Sequence, residues 1–198
     1  MKIIGLTGGI ASGKNFVADI FAKNGAAIFD ADFEVHQIYN NNKNFISKIK
    51  KLFPQSVVDE KIDRKILGKI VFSDAKKLKI LEKNIHPIIR KKYDQFLLKS
   101  RQEKRKIVVL NIPLLLEKQG YKCDKIISLL IPPSLQKRRF LSRNKNESQQ
   151  DLEKKFTKIA RFQMNNEERK KRSDFVIHAK FSKAHTKMQA EKILQRIA

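Results

Sequence analysis

An apolar run that breaks into glycines and ends in a lysine, Ile3-Ile4-Gly5-Leu6-Thr7-Gly8-Gly9-Ile10-Ala11-Ser12-Gly13-Lys14-Asn15, dictates the first unit of this chain. Phe16-Val17-Ala18-Asp19-Ile20-Phe21-Ala22-Lys23 follows with apolar residues at helical spacing, and Asn24-Gly25 is a stop signal, so the predicted order is strand, loop, helix. Gly8, Gly13 and Lys14 have the phosphate-loop spacing, in which glycines let successive backbone N–H groups turn inward around an anion. The helix N-terminus behind the loop adds its positive dipole end. Gly9, Ile10, Ala11, Ser12, Gly13, Lys14, Asn15 and Phe16 are therefore the candidate nucleotide-binding residues, with Lys14 reaching the β- and γ-phosphates as a mobile point charge. Asn15 stands where Ser or Thr would put a hydroxyl on Mg²⁺, and its amide oxygen is the available substitute as a metal ligand.

The 198 residues suffice for one well-buried core with a small appended subdomain. Lys and Arg number 44 against 20 Asp and Glu, a formal charge of +24 that attracts polyanions of any kind. The excess is mostly Lys, spread from Lys2 to Lys192 without any zinc or RNA-binding motif, so no specific nucleic-acid partner is expected. Cys123 is the single cysteine, which excludes a disulfide framework and a thiolate metal site. No apolar run approaches the ~20 residues of a membrane span, and the chain enters its first strand at once, so a cytoplasmic protein without a membrane partner is expected.

Downstream, Ala26-Ala27-Ile28-Phe29 reads as a second parallel strand that ends in Asp30-Ala31-Asp32. In open α/β sheets ligands bind at the carboxyl ends of strands, so these carboxylates are site candidates, although a helix N-cap pair has the same pattern. From Phe33 to about Ser100 the pattern is helical and charged, with no convincing strand. Helices are predicted over 45–53, 63–72 and 74–84, Asn40-Asn41-Asn42 is the one linker-like stretch, and His86-Pro87 is a predicted helix boundary. An insertion of about 65 residues, where connections normally run ~2–6 residues plus a helix, suggests a substrate-holding subdomain. Buried parallel-type strands are expected over 106–110, before Asn111, and over 126–131, before Pro132-Pro133. Residues 134–172 then turn basic and helical, with Arg139 and Arg143 one turn apart on one face, the pattern of a lid whose arginines neutralise a transferring phosphoryl group. A strand at 175–177 and a helix at 184–197 close an α/β chain built on a parallel sheet.

As a set, these residues resemble the dephospho-coenzyme A kinase family over nearly the whole chain. The likeness rests on Leu6 to Lys14, Asp30-Ala31-Asp32, Asp63-Arg64 with Leu67 and Val71-Phe72, and His86-Pro87 with Arg90. It continues through Ile112-Pro113-Leu114-Leu115 with Glu117, the Arg139/Arg143 pair, Gln163-Met164, and Arg172 with Asp174 to Ile177. The resemblance implies a P-loop kinase core (1–32, 104–132 and 173–198), a helical CoA-binding subdomain (33–103) and a helical lid (133–172). It implies ATP and Mg²⁺, dephospho-CoA as substrate, and a monomer. Asp32, Lys14 and Arg139 would then be catalytic, with Arg143 on the nucleotide and Asp30 beside Asn15 on the metal. Asp32, Arg64, His86, Arg90 and Leu115 would face dephospho-CoA. Four positions depart from the family pattern: Asn15 for Ser, His36 for Arg, Asn111 for Asp, and His178-Ala179 where Asn is common. Three rival readings are a nucleoside monophosphate kinase, a binding-only protein that keeps the fold but not the rate, on Asn15 and Asn111, and a GTPase-type switch, on Asn144-Lys145-Asn146-Glu147, which superficially resembles a guanine-reading motif.

Overall fold

A computed structural model describes residues 1–117, 120–143 and 148–197. The Asn144-Lys145-Asn146-Glu147 stretch lies outside the described residues. In chain order the elements are β1 (Lys2–Gly8), α1 (Lys14–Lys23), β2 (Ala27–Asp30), α2 (Ala31–Asn41), α3 (Lys43–Leu52), β3 (Val57–Val58), β4 (Lys61–Ile62), α4 (Arg64–Phe72) and α5 (Ala75–Gln102). They continue with β5 (Ile107–Asn111), β6 (Lys125–Leu130), α6 (Pro133–Arg143), α7 (Gln149–Arg161), α8 (Asn166–Lys171), β7 (Phe175–His178) and α9 (Lys183–Ile197). Two compact units result, Met1–Phe29 with Ser100–Ala198, and Asp30–Lys99.

The first unit is built on a sheet of order β2-β5-β1-β6-β7. β1 pairs in parallel with β5 and β6, and β6 with β7. Val108, Val109 and Leu110 are all fully buried, which is why β5 reads as an unbroken apolar run and not as an alternation. On one face α1 and α9 cover the sheet, with Val17, Phe21, Ala190 and Ile193 packed on Ile4, Leu6, Ile127 and Leu129. A smaller apolar cluster joins α6 and α7 through Phe140, Leu152 and Phe156, the two rings 5.7 Å apart. Cys123 borders Gly5, and burial followed by the Asp124 carboxylate pushes its thiol up to about 11, so it is an inert thiol at neutral pH.

The second unit corrects three expectations. Val57↔Ile62 and Val58↔Lys61 form an antiparallel hairpin in a region read as purely helical. Its two turn residues, Asp59 (φ 47°) and Glu60 (φ 56°), are both left-handed, the backbone of a tight hairpin turn without the usual Asn-Gly signature. Two-residue strands are also too short for any period to register. Second, α5 runs unbroken through His86-Pro87. Leu81, Ile85, Ile89 and Tyr93 form a buried stripe at every fourth residue, while Pro87 sits on the exposed face. Burial of that stripe carries the helix past the hydrogen bond that proline removes. Third, Asn40 and Asn41 belong to α2 and Asn42 caps α3, accepting the Phe45 N–H at 2.9 Å, so this stretch is a helix junction and not a linker. Among the described residues no helix is long and apolar enough to cross a membrane.

Candidate phosphate-binding site

The buried strand β1 delivers Gly8 to the carboxyl edge of the sheet, where the chain turns tightly over its neighbour. A Cβ on Gly8 would lie 2.9 Å from the Leu129 carbonyl oxygen and 2.9 Å from Ser12 Oγ, so only glycine lets the loop approach β6 this closely. Ala11 (φ 56°) and Gly13 (φ 97°) are both left-handed, and the Ser12 N–H donates to Gly9 O at 3.2 Å, which curls the loop. For Ala11 that backbone is strained, and the packing of Ile10 and Ala11 against the Phe140–Leu152–Phe156 cluster holds it there. Gly13 caps α1 without a side-chain acceptor, leaving the helix-start N–H groups to whatever lies in the loop. Lys14 Nζ arches back to donate to Gly8 O at 2.9 Å.

Ser12 Oγ is buried and has no hydrogen-bond partner among the described residues. A concave run of glycine backbone, an uncapped helix start, a lysine and an orphaned buried hydroxyl together fit a polyphosphate. Among the described residues no group of three or more His, Cys, Asp or Glu could hold a metal ion. Mg²⁺ does not need one, because it keeps several waters and takes one or two protein oxygens beside substrate phosphates. Asn15 Oδ1 is an oxygen of that kind.

Two departures from the phosphate-loop pattern touch each other. Asn111, 3% exposed at the end of β5, donates through Nδ2 to Asn15 Oδ1 at 3.1 Å. In phosphate-loop proteins with Ser or Thr and Asp at these places, the pair is a hydroxyl and a carboxylate. Here two neutral amides keep the contact, and Asn111 aims the Asn15 oxygen. Asn111→Asp turns the Asn15 amide so that its Nδ2 donates and its oxygen points away, Asn15→Ser leaves a hydroxyl accepting from the Asn111 amide, and only the double variant gives a hydroxyl donating to a carboxylate. A double-mutant cycle on Mg²⁺-dependent ADP affinity, read by calorimetry, is expected to show a coupling of about 0.5–3 kcal/mol; additive effects would make the two sites independent.

The other predicted residues of this unit divide. Arg139, half-buried on α6, donates through Nη2 to Ala179 O at 2.9 Å just past β7. Burial first, then the charges of Arg143 and Arg138, lower its pKa. Arg143 is exposed at the end of α6. Phe16 has Lys183 Nζ 5.8 Å from its ring centre. Leu115, which the resemblance assigns to the substrate, is 7% exposed and lies against Gly5.

In the Asp30–Lys99 unit, Asp30 Oδ1 accepts the Phe33 N–H at 2.9 Å as the N-cap of α2, so the capping alternative holds for this residue. Asp32 is exposed in the first turn of the same helix. Arg64 opens α4 behind Asp63, whose carboxylate caps that helix through Lys65 and Ile66. His86 and Arg90 are exposed one turn apart on α5, with Arg90 3.4 Å from Asp94 and over the Tyr93 ring. His36 Nε2 lies 3.1 Å from Asn40 Nδ2, an intrahelical contact.

The sequence reading missed Gln136, which borders Gly9, and the ion pair between Arg169, 1% exposed, and Glu117 at 2.9 Å. Arg169 hides in Glu167-Glu168-Arg169-Lys170-Lys171-Arg172, a charge run indistinguishable from a solvated face. A glycine-rich phosphate loop on a parallel α/β sheet, with an arginine-bearing helical segment after β6, defines a phosphate-loop kinase. Residues 2–184 match the family model described as dephospho-CoA kinase. A dephospho-CoA kinase of Bartonella quintana is 41% identical over 198 residues, 100% of this chain and 98% of its own length. Among solved structures, a crystal structure of a Thermus thermophilus protein aligns at TM-score 0.78 and 31% identity, covering 98% of this chain and 96% of that one. Dephospho-CoA kinase from Campylobacter jejuni aligns at TM-score 0.62 and 29% identity, covering 100% and 97%. The chain belongs to the dephospho-CoA kinase family.

Proposed function

We propose that this protein phosphorylates the 3′-hydroxyl of dephospho-CoA with ATP, giving CoA and ADP, the last step of coenzyme A synthesis. The observation that carries the reading is the family match over residues 2–184 on a chain whose phosphate loop is intact in spacing, curvature and lysine. The 3′-oxygen of the acceptor attacks the γ-phosphorus in line, the bond from that phosphorus to the β–γ bridging oxygen breaks, and ADP leaves with the electron pair. Asp32 accepts the proton of the attacking hydroxyl. Lys14, the loop N–H groups and Arg139 stabilise charge that develops on the transferring group, a contribution that preorganised donors usually dominate, and Arg143 holds the nucleotide. Arg64, His86 and Arg90 serve the dephospho-CoA side. Mg²⁺, held through Asn15 Oδ1 and by Asp30 through water, would supply charge neutralisation between the phosphates. The enzyme works as a cytoplasmic monomer, with neither a membrane nor a specific nucleic acid as partner.

The test is ADP release in a coupled assay, with dephospho-CoA compared against AMP, UMP and CMP as acceptors. Turnover is expected with dephospho-CoA, at a kcat/KM at least ~10²-fold above the mononucleotides. The reverse ranking would assign the chain to nucleoside monophosphate phosphorylation.

A further inference from the structure

A continuous set of polar contacts runs from the end of α7 into the phosphate loop. Gln163, the residue after the C-cap of α7, accepts the Ile10 N–H on Oε1 at 2.8 Å. Its own N–H is fixed to Ala160 O at 3.1 Å, and the next N–H, of Met164, goes to Glu117 Oε1 at 2.8 Å. That same carboxylate oxygen accepts from Arg169 Nη2 at 2.9 Å, while Arg169 also donates to Met164 O and to Thr7 Oγ1, each at 3.2 Å. Thr7 and Ile10 flank the two leading glycines of the loop. The loop is therefore held on both sides of Gly8-Gly9 by one part-buried frame anchored on the charge-assisted Arg169–Glu117 pair.

We propose that Gln163 is a positioning residue for nucleotide binding, acting through the Ile10 amide and not by touching the nucleotide. By taking the Ile10 N–H, Gln163 fixes the Gly9–Ile10 peptide plane, whose Gly9 carbonyl accepts the Ser12 N–H across Ala11, the strained left-handed residue of the loop. The N–H groups from Ala11 to Lys14 are then aimed before any phosphate arrives. A loop already in its binding geometry spares the ordering cost at association, and loss of that preorganisation weakens affinity without removing a contact. Gln163 also borders the position a Gly9 Cβ would take, 3.3 Å from its Oε1, and Gln136 on α6 meets the same position. Gly9 is thus approached by side chains from the start of α6 and from just past α7, which ties the loop to both helices.

The experiment uses Gln163→Met, which keeps length but removes the acceptor, and Gln163→Ala. ADP binding is measured by calorimetry, together with thermal unfolding and amide hydrogen exchange over residues 8–14 and over α6 and α7. Both variants are expected to bind ADP about tenfold more weakly, the size of one net hydrogen bond. Exchange should speed up in the loop and not in α6 or α7, with the melting temperature within a few degrees of the parent. In turnover, KM for ATP should rise about tenfold with kcat and the acceptor KM within about twofold of the parent. Unchanged ADP affinity overturns the proposal. So does faster exchange throughout α6 and α7, or failure of both variants to fold, which would make Gln163 structural. The inference rests on the nucleotide-binding reading alone. No acceptor enters the ADP titration, so failure of the dephospho-CoA assignment would leave its outcome intact.

Discussion

Lys14→Ala is expected to lower phosphoryl transfer by about 10³-fold or more while the melting temperature of the ligand-free protein stays within a few degrees of the parent. The side chain is half-buried, lies outside the apolar clusters of the sheet and of α6–α7, and its ammonium reaches back over the loop to Gly8 O at 2.9 Å. Its removal touches no apolar core position, so the stability change is expected to stay near the ~0.5 kcal/mol usual for substitutions away from core features. In the reaction, by contrast, the ammonium is a full positive charge that meets oxygens whose charge rises as the β–γ bond breaks. Such an interaction counts fully in the transition state and cannot be replaced by water at the same place. Turnover and thermal unfolding on one preparation decide the matter. Near-parental turnover would remove the loop from the mechanism, and a collapsed melting temperature would make Lys14 a structural residue.

How far the chain could be read in advance follows from the range of the interactions involved. β1, β5 and β6 were legible because central parallel strands bury both faces and so leave solid apolar runs. The loop was legible because the glycine and lysine spacing that marks it lies within Gly8 to Lys14, even though distant residues such as Gln163 also hold its curvature. Contacts between distant segments left no such trace. Asn15 and Asn111 each looked like an isolated departure from the family pattern, and only the fold brings Nδ2 of one to Oδ1 of the other. Arg169 looked like one more member of a charge run, yet its burial beside Glu117 follows from the approach of α8 to β6 and to the chain after β5. In the Asp30–Lys99 unit the helix α5 defeated a local rule. A proline signals a boundary only when nothing else holds the helix, and a buried stripe from Leu81 to Tyr93 does hold it. Asp30 is the intermediate case, since the residue type and its place after a strand support a cap and a ligand equally, and the cap is what the backbone uses.

That cap makes Asp30 and Asp32 separable by experiment. Asn caps a helix about as well as Asp, so Asp30→Asn keeps the bond to the Phe33 N–H and removes only the charge. Asp32 lies exposed in the first helical turn, where Asn keeps the size and polarity of the side chain. If Asp32 accepts the hydroxyl proton, Asp32→Asn leaves a side chain of equal size with no base, and turnover falls by the ~10²- to 10⁴-fold typical of lost general-base catalysis. ADP affinity is expected to hold, because the lost group acts on the acceptor. If Asp30 orders the waters of Mg²⁺, Asp30→Asn raises the Mg²⁺ concentration needed for half-maximal rate, and the neutral Asn15–Asn111 pair makes that demand steeper because it supplies no compensating charge. Saturating Mg²⁺ should then restore Asp30→Asn and leave Asp32→Asn as slow as before. The measurement is the initial rate against Mg²⁺ for both variants at saturating dephospho-CoA, with ADP titrations at low and high Mg²⁺ beside it. Restoration of Asp32→Asn by Mg²⁺ would exchange the two roles, and parental rates in both variants would place the base elsewhere in the protein.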